Sequence, residues 1–367
     1  MKTRAAVVTE SGSPIAVLEL RLAEPREGEV LVRVAAAGIC HSDWHLVTGD
    51  TAHPLPAVLG HEGAGVVEAV GAGVTKVAPG DRVALNWAPY CGTCFLCKKG
   101  SPALCRTYVG PLWAGTMLDG TPRFALDDGR PVYHYCGLAC FADRTVVPEP
   151  CCVPVPDAVP FEIAALIGCA VTTGAGAILN TAALEPGESV VVLGAGGVGL
   201  SAVMAARMVG CDPIIVVDRA AAKLEMAADF GASHAVAAGS GALEKVRELT
   251  DGFGADCATE AVGHPQAQAT ALEATRSGGR CVLVGLAPMG STTELDTARL
   301  VREEKAVLGS YYGSCDPERD FPLLCDHYAS GRLPLDRLVS RRWALEEVND
   351  AYAAMLSGEI ARGVIAF

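Results

Sequence analysis

The chain has 367 residues, of which half are hydrophobic and only 19% are charged, and its formal net charge is −13. This length favours two domains with a sizeable core, and no Lys/Arg cluster provides the basic face that binding to nucleic acid requires. Composition and charge together indicate a soluble protein that handles small molecules.

The N-terminal sequence MKTRAAVVTESGSP has no apolar core that would serve as a secretion signal, so we expect a cytoplasmic protein. In that compartment the 15 cysteines are expected as thiols or metal ligands rather than disulfides. The most apolar stretch, 189–210, is long enough for a membrane span. Its glycine cluster and internal Arg207 favour a strand–turn–helix unit instead, and we expect no membrane partner.

The first 155 residues are predicted to be rich in β-strands. EVLVRVAAAG (29–38) alternates with Val30, Val32 and Val34 on one face, which is typical of a strand. The segments 63–74 and 79–85 are predicted as short strands between glycine turns.

Candidate metal ligands begin directly after the first of these strands. GICHSDWH (38–45) supplies Cys40, LGHEGAG (59–65) supplies His61 and Glu62, and LIGCAVTTG (166–174) supplies Cys169. A set of two cysteines and one histidine leaves one of four zinc positions open, as in catalytic sites. Spacing alone does not distinguish this set from unrelated buried cysteines.

A second candidate metal site lies in the loop CGTCFLCKKGSPALC (91–105). Its four thiols can close a tetrahedral zinc shell with a purely structural role, and they are Cys91, Cys94, Cys97 and Cys105. An iron–sulfur cluster is the competing interpretation, although nothing else in the chain calls for an electron carrier.

Short apolar strands alternate with segments of helix length in the second half. This order predicts βαβ units and a parallel sheet. The predicted strands are 189–194, 213–218, 234–238, 256–263, 280–285 and 305–310.

The first of these strands runs into GAGGVG, in which Gly194, Gly196 and Gly199 fit the dinucleotide-binding pattern. The pyrophosphate would lie at the N-terminus of the following helix. Asp218 is placed to bind the ribose 2′-hydroxyl, which favours NAD, whereas Arg219 keeps NADP open. The alternative is an α/β domain with a glycine turn and no nucleotide.

Taken together, these motifs and the closing IARGVIAF resemble the zinc-dependent medium-chain alcohol dehydrogenases over the full length of the chain. The branch most similar is the actinobacterial type that includes mycothiol-dependent formaldehyde dehydrogenase. The resemblance implies an α/β fold with a GroES-like, β-rich catalytic domain (1–170, completed by 310–367). A Rossmann domain with a doubly wound parallel sheet would occupy 171–309.

The resemblance also implies a role for each metal candidate. Cys40, His61 and Cys169 would hold a catalytic zinc, and the four loop cysteines a structural zinc, giving two zinc ions per chain. Glu62 would approach the catalytic zinc from behind or be a structural carboxylate. Asp43 would accept the free imidazole N–H of His61.

The remaining residues of GICHSDWH take roles in proton transfer and cofactor binding. Ser42 would touch the substrate alkoxide on the zinc, and His45 would relay its proton through the cofactor ribose. His41 would lie near the cofactor pyrophosphate. Solvated surface histidines are the alternative for His41 and His45.

Further contacts follow from the same resemblance. Trp87 is expected in the substrate pocket. Lys223 would lie by the adenosine ribose and Arg362 by the pyrophosphate, unless they are solvated surface charges. The other expected cofactor contacts are Thr173, Gly197, Val198, Val284 and Leu286.

We therefore expect an enzyme that transfers hydride between NAD(H) and a primary or aromatic alcohol or aldehyde. The runner-up is oxidation of a thiol–formaldehyde adduct. Mycothiol is favoured over glutathione as the thiol, because Val109 stands where the glutathione-dependent branch has an Arg. A non-catalytic protein that binds zinc and nucleotide is the alternative from another class. A homodimer is expected, paired through Rossmann edge strands near 300–310, and a tetramer stays open as the alternative.

Overall fold

The computed structural model describes all 367 residues of the chain. Its strands are β1 (Lys2–Val8), β2 (Ala16–Leu22), β3 (Glu29–Gly38), β4 (Ala57–Val58), β5 (Gly63–Val70), β6 (Arg82–Leu85), β7 (Phe124–Ala125), β8 (Pro131–His134), β9 (Arg144–Pro148), β10 (Cys152–Pro154), β11 (Val190–Leu193), β12 (Ile214–Asp218), β13 (His234–Ala237), β14 (Ala255–Glu260), β15 (Thr275–Leu283), β16 (Ala306–Gly309), β17 (Val339–Trp343) and β18 (Arg362–Ala366).

The α-helices are shorter and fewer in the first half. They are α1 (His41–Thr48), α2 (Phe95–Lys98), α3 (Arg106–Ala114), α4 (Phe161–Leu166), α5 (Thr172–Gly176), α6 (Gly197–Val209), α7 (Ala221–Phe230), α8 (Ala242–Glu248), α9 (Pro265–Ala274), α10 (Thr297–Arg302), α11 (Pro317–Ala329) and α12 (Val348–Ser357).

The chain forms two compact units. The first comprises 1–169, 316–330 and 339–367, and the second comprises 170–315 and 331–338. We expected 310–315 and 331–338 in the catalytic domain, but both segments pack with the second unit. There the Asn180 side chain donates to the Gly313 carbonyl at 3.1 Å, and the Arg337 guanidinium donates to the Asp229 carbonyl.

The first unit is built from a small closed barrel, ordered β1-β2-β7-β8-β4, and a larger sheet, ordered β10-β6-β5-β3-β18-β17 with β9 also on β3. Its barrel core includes Val7, Leu20, Leu31 and Phe124. The C-terminal β18 pairs with β3 in antiparallel fashion, Val364 opposite Gly38. The C-terminal strand therefore lies beside the point where the GICHSDWH motif begins.

The second unit contains a parallel sheet ordered β13-β12-β11-β14-β15-β16. All six strands predicted from apolar runs are present, and strands such as VVVL in β11 are buried throughout, as expected for a parallel sheet covered on both faces. The order reverses between β11 and β14, which is where such sheets bind ligands. The predicted fold class is confirmed at this level.

The stretch 189–210, which we considered as a membrane span, forms β11 and α6. A different helical stretch, 161–182, is long and apolar enough to cross a membrane by length and composition, but 83% of its apolar window is buried inside the protein. A buried core helix meets the same criteria of length and composition. Residues Ile167–Val171 of this stretch form a π-helical turn, a local widening that is frequent at functional sites.

Candidate active site and metal centres

One candidate metal centre combines residues from three distant parts of the first unit. The ligand atoms of Cys40, His61, Glu62 and Cys169 all lie within 4.8 Å of one another, and all four residues are buried. Thiolate, imidazole and carboxylate are the ligand types that zinc binds in proteins, and one ion can bridge donors gathered this closely. This donor set therefore fits a zinc ion.

Local backbone structure places each of these ligands. Cys40 is the N-cap residue of α1 in an extended conformation, and Cys169 lies in the π-helical turn. Gly38 lets Glu62 approach, because a Cβ at Gly38 would lie 2.2 Å from Glu62 Oε2. The glycine before Ile39 thus leaves room for a carboxylate beside the two sulfurs.

Asp43 orients the His61 ring. Asp43 Oδ2 lies 3.0 Å from His61 Nδ1, with both side chains buried, and Asp43 Oδ1 accepts the Gly60 N–H at 2.9 Å. Burial opposes protonation of His61, but the negative charges of Asp43, Cys169 and Cys40 outweigh it and raise the pKa of His61. With Nδ1 turned towards the Asp43 carboxylate, Nε2 is the ring nitrogen left for the cluster, and it has no hydrogen-bond partner.

Arg362 supplies positive charge to the same cluster. Its guanidinium lies 3.1 Å from Glu62 Oε1, 3.8 Å from Cys40 Sγ, and donates to the Ile39 carbonyl at 2.6 Å. Burial raises the pKa of Glu62 to about 8, although Arg362 opposes that shift. Sequence reasoning assigned Arg362 to the cofactor pyrophosphate, a contact that stays a prediction, and missed its place beside the thiols.

The predicted proton-transfer residues lie along α1. Ser42 Oγ is 3.8 Å from Cys40 Sγ. His45 follows three residues later, on the same helical face, with its ring Nδ1 3.4 Å from Asp50 Oδ2 and its side chain 31% exposed. His41 is exposed at the start of the helix. The face that carries Ser42 and His45 therefore leads from the buried cluster towards solvent.

Two aromatic rings flank His61. The Trp87 ring lies edge-on at 6.4 Å between centroids, and the Tyr135 ring lies at 5.8 Å with an interplanar angle of 77°. Trp87 was expected near the substrate, whereas Tyr135 was missed. No motif marks Tyr135, and its only sequence signal is an aromatic residue at the end of a strand, next to a Cys-Gly turn.

The cysteine loop forms the second candidate metal centre. The ligand atoms of its four cysteines lie within 4.8 Å of one another, with Cys94 Sγ 3.5 Å from Cys97 Sγ. The Thr107 hydroxyl donates to Cys91 Sγ at 3.2 Å. Hydrogen bonds from Thr107 and Thr93 lower the pKa of Cys91 to about 5. Four sulfurs at this mutual distance fit a structural zinc site.

The glycine-rich turn lies at the switch point of the parallel sheet. Gly194 follows β11 with φ 96°, and Gly199 packs so closely that a Cβ there would lie 1.8 Å from the Gly194 carbonyl oxygen. The Asp218 carboxylate accepts the backbone N–H groups of Ala195 at 2.7 Å and Ala220 at 2.9 Å. The acidic residue at the end of β12 thus holds the glycine turn as well as standing at the predicted ribose position.

The other predicted cofactor residues occupy the second unit. Val198 lies in the first turn of α6 and Lys223 in the first turn of α7. Arg219 and Leu286 are exposed, and Thr173, Lys223 and Val284 are half-buried. A buried carboxylate that sequence reasoning missed, Glu260 at the end of β14, accepts the Val262 and Gly263 N–H groups at 2.7 Å each.

Two family models match the chain. The alcohol dehydrogenase GroES-like domain matches residues 26–157, and the zinc-binding dehydrogenase model matches residues 197–330. A Mycobacterium tuberculosis protein provisionally named alcohol dehydrogenase D is 43% identical over 368 residues, covering 100% of both chains. The chain belongs to the zinc-dependent medium-chain alcohol dehydrogenases. The family expected from the sequence motifs is thereby confirmed for this dehydrogenase.

Other relatives of the dehydrogenase have more specific names. The NDMA-dependent alcohol dehydrogenase of Amycolatopsis methanolica is 42% identical over 100% of this chain and 99% of the relative. The S-(hydroxymethyl)glutathione dehydrogenase of Paracoccus denitrificans is 37% identical over 100% of both chains. The crystal structure of benzyl alcohol dehydrogenase from Acinetobacter calcoaceticus matches with a TM-score of 0.95 and 34% identity, covering 100% of this chain and 99% of that one.

Proposed function

We propose that the dehydrogenase oxidises primary or aromatic alcohols with NAD as the hydride acceptor, and reduces the corresponding aldehydes in reverse. The observation that carries this proposal is the buried cluster of two thiols, one carboxylate and an imidazole whose Nε2 is left for a metal. The name of the benzyl alcohol dehydrogenase, similar over the full chain, supports an aromatic substrate. Steady-state rates with benzyl alcohol and NAD test it, and absence of turnover by zinc-loaded protein would contradict it.

Cys40, His61 and Cys169 would hold the catalytic zinc, with Glu62 beside them. When bound, the zinc supplies Lewis-acid chemistry that makes an alcohol oxygen more acidic. Asp43 keeps the His61 ring in the tautomer that presents Nε2. Ser42 and His45 would carry the alcohol proton outward along α1, since His45 follows Ser42 on the same face and its side chain is 31% exposed.

A zinc count separates this proposal from a protein that binds metal without turnover. Two centres predict about two zinc ions per chain, one of them structural in the 91–105 loop. A non-catalytic protein with the loop site alone would contain one. Metal analysis of the purified protein, paired with the turnover assay, gives the answer.

NAD is the proposed cofactor because Asp218 ends β12 where a carboxylate would repel a 2′-phosphate. The adjacent Arg219 is exposed and is the residue that could accommodate NADP. Comparison of kcat/KM with NAD and with NADP tests the preference, and equal values would contradict it.

A thiol–formaldehyde adduct is the second candidate substrate. The relative named S-(hydroxymethyl)glutathione dehydrogenase supports it. Val109, where the glutathione-dependent branch carries an Arg, is an exposed apolar residue on α3, which argues for mycothiol over glutathione. Rates with formaldehyde, with and without each thiol, separate this candidate from plain alcohol oxidation. The Amycolatopsis relative is named an NDMA-dependent enzyme. A parallel assay with and without NDMA tests whether turnover by this dehydrogenase also depends on that compound.

The exposed edge of the parallel sheet supports a homodimer. Edge strand β16 carries the exposed Val307, and Val301 on the preceding helix is 74% exposed. An open apolar edge is a template for pairing with a second copy, and light scattering measures the resulting mass.

A cytoplasmic location is proposed as well, because the 15 cysteines are all free, which suits a reducing compartment.

A further inference from the structure

Tyr135 begins a strained segment, residues 135–141, which we call the strap. Cys136 and Ala139 adopt left-handed conformations, with φ 49° and 50°. Such conformations cost about 1–3 kcal/mol each in residues other than glycine and persist only where the surroundings fix them. The Tyr135 carbonyl accepts the N–H groups of Leu138 and Ala139 at 3.2 Å each. The strap is therefore a defined turn rather than a loose loop.

The strap is fastened to the segment that carries His61. The Cys140 N–H donates to the Gly60 carbonyl at 3.0 Å, and the Phe141 N–H donates to the Leu59 carbonyl at 2.9 Å. The Tyr135 ring also lies edge-on to His61. Two backbone hydrogen bonds and one ring contact therefore hold the strap against the His61 segment.

The Tyr135 hydroxyl reaches in the other direction, to α1. It donates to the Ser42 carbonyl at 2.5 Å, and the side chain is only 2% exposed. A carbonyl has two lone pairs, so this bond adds to the one that Ser42 makes within the helix. Tyr135 is thus linked both to the helix that carries Ser42 and Asp43 and to the metal-ligand segment.

The start of α1 is a place where such a bond matters. The helix has eight residues, and its N-cap residue Cys40 makes no side-chain capping bond. Helices this short are marginal unless tertiary contacts hold them. The Tyr135 hydroxyl is one such contact, and it acts on the turn that places Ser42 Oγ beside Cys40 Sγ.

We propose that Tyr135 is a positioning residue: its hydroxyl holds the first turn of α1 against the strap, and so sets where the Ser42 hydroxyl stands relative to His61. This inference rests on the proposed alcohol dehydrogenase function, because Ser42 matters only if it handles the alcohol proton. Tyr135 itself transfers no proton, since its hydroxyl hydrogen is engaged by a backbone carbonyl.

Tyr135→Phe removes only the hydroxyl, and Tyr352→Phe is its matched control. Tyr352 is also fully buried and packs on the same helix, with its ring 5.4 Å from that of Trp44. Its hydroxyl has no hydrogen-bond partner. Both variants lose one buried oxygen next to α1, but only one loses a hydrogen bond to it.

The measurements are kcat and KM for alcohol and NAD, zinc content, and amide hydrogen exchange of residues 41–48. We expect Tyr135→Phe to lower kcat/KM for the alcohol by about 3–10-fold, the range of one hydrogen bond. Exchange in the first turn of α1 should accelerate, while zinc content and KM for NAD stay unchanged. Tyr352→Phe should remain within about twofold of the parent.

A third variant keeps the proposal testable if Tyr135→Phe does not fold. Tyr135→p-aminophenylalanine keeps the shape of the ring and restores a donor, so it should recover the parent's kcat/KM even if Tyr135→Phe does not fold. Low activity in the folded amine variant, or equal kinetics of Tyr135→Phe and Tyr352→Phe, overturns the positioning role. If the parent protein itself oxidises no alcohol, the proposed function fails instead, and the two failures are distinct.

Discussion

Cys40 and His45 are predicted to contribute very unequally to turnover. A bound zinc lowers the pKa of water to about 7, which stabilises the deprotonated form by about 12 kcal/mol relative to bulk water. General-base assistance raises the reaction rate by only roughly 10²–10⁴-fold. We therefore expect Cys40→Ser to lose the catalytic zinc and all measurable turnover, and His45→Gln to retain a measurable rate that added base increases. Zinc content and kcat are the measurements, and equal losses in both variants would contradict this order.

Asp43 is predicted to control metal affinity without touching the metal. Asp43→Asn removes the charge that fixes the Nδ1–H tautomer of His61 but still accepts the Gly60 N–H. Partners of this kind typically contribute 10–100-fold to zinc affinity. Competition with a chromogenic chelator should show the catalytic zinc leaving Asp43→Asn at a lower chelator concentration. Asp50→Asn, just past the exposed end of the same helix, is the control, and the proposal is wrong if both variants release zinc alike.

Sequence patterns identified some of these residues and not others, for a physical reason. Cys40, His61 and the loop cysteines have residue types that report chemistry directly, so they could be named before any contact was known. Tyr135 and Arg362 lie 93 and 322 residues from their partners Ser42 and Cys40. Only the pairing of β18 with β3 and the turn after β8 bring them together, and no local period encodes such long-range contacts.

At the scale of elements, the turn between β11 and α6 leads to a test that needs no metal. In Gly199→Ala the new Cβ would lie 1.8 Å from the Gly194 carbonyl oxygen, so the turn and the helix must separate. We expect NAD affinity to fall by at least about tenfold, because the helix N-terminus that receives the pyrophosphate moves. NADH fluorescence titration measures it.

Gly241→Ala is the matched control for that test. Gly241 precedes α8 in the same unit, with φ −99°, and a methyl group at its Cβ position would meet no other atom within 4 Å. NADH binding should be unchanged in this variant. Comparable losses in both variants would mean that close helix–strand contact at Gly199 is not what shapes the nucleotide site.

For the molecule as a whole, His134 makes stability depend on pH in a defined direction. It lies at the end of β8 and is fully buried. Its Nε2 accepts a hydrogen bond from the backbone N–H of Arg123 at 3.1 Å. An imidazolium could not accept this bond. Burial, together with the charges of Arg123 and His53, lowers the pKa of His134 to about 3.

Between the unfolded value of about 6.5 and the folded value of about 3, the unfolded chain binds one more proton at this residue than the folded chain does. Stability therefore falls as pH drops into that window, with a slope that approaches about 1.4 kcal/mol per pH unit and a total of about 2 kcal/mol from pH 7.5 to pH 5. In His134→Gln an amide oxygen can still accept from Arg123 but does not titrate. Its urea midpoint should consequently shift less between pH 7.5 and pH 5 than that of the parent, whereas the exposed His234→Gln should follow the parent. Parallel pH dependence of the urea midpoint in all three proteins would show that the buried imidazole of His134 does not cause the loss of stability at low pH.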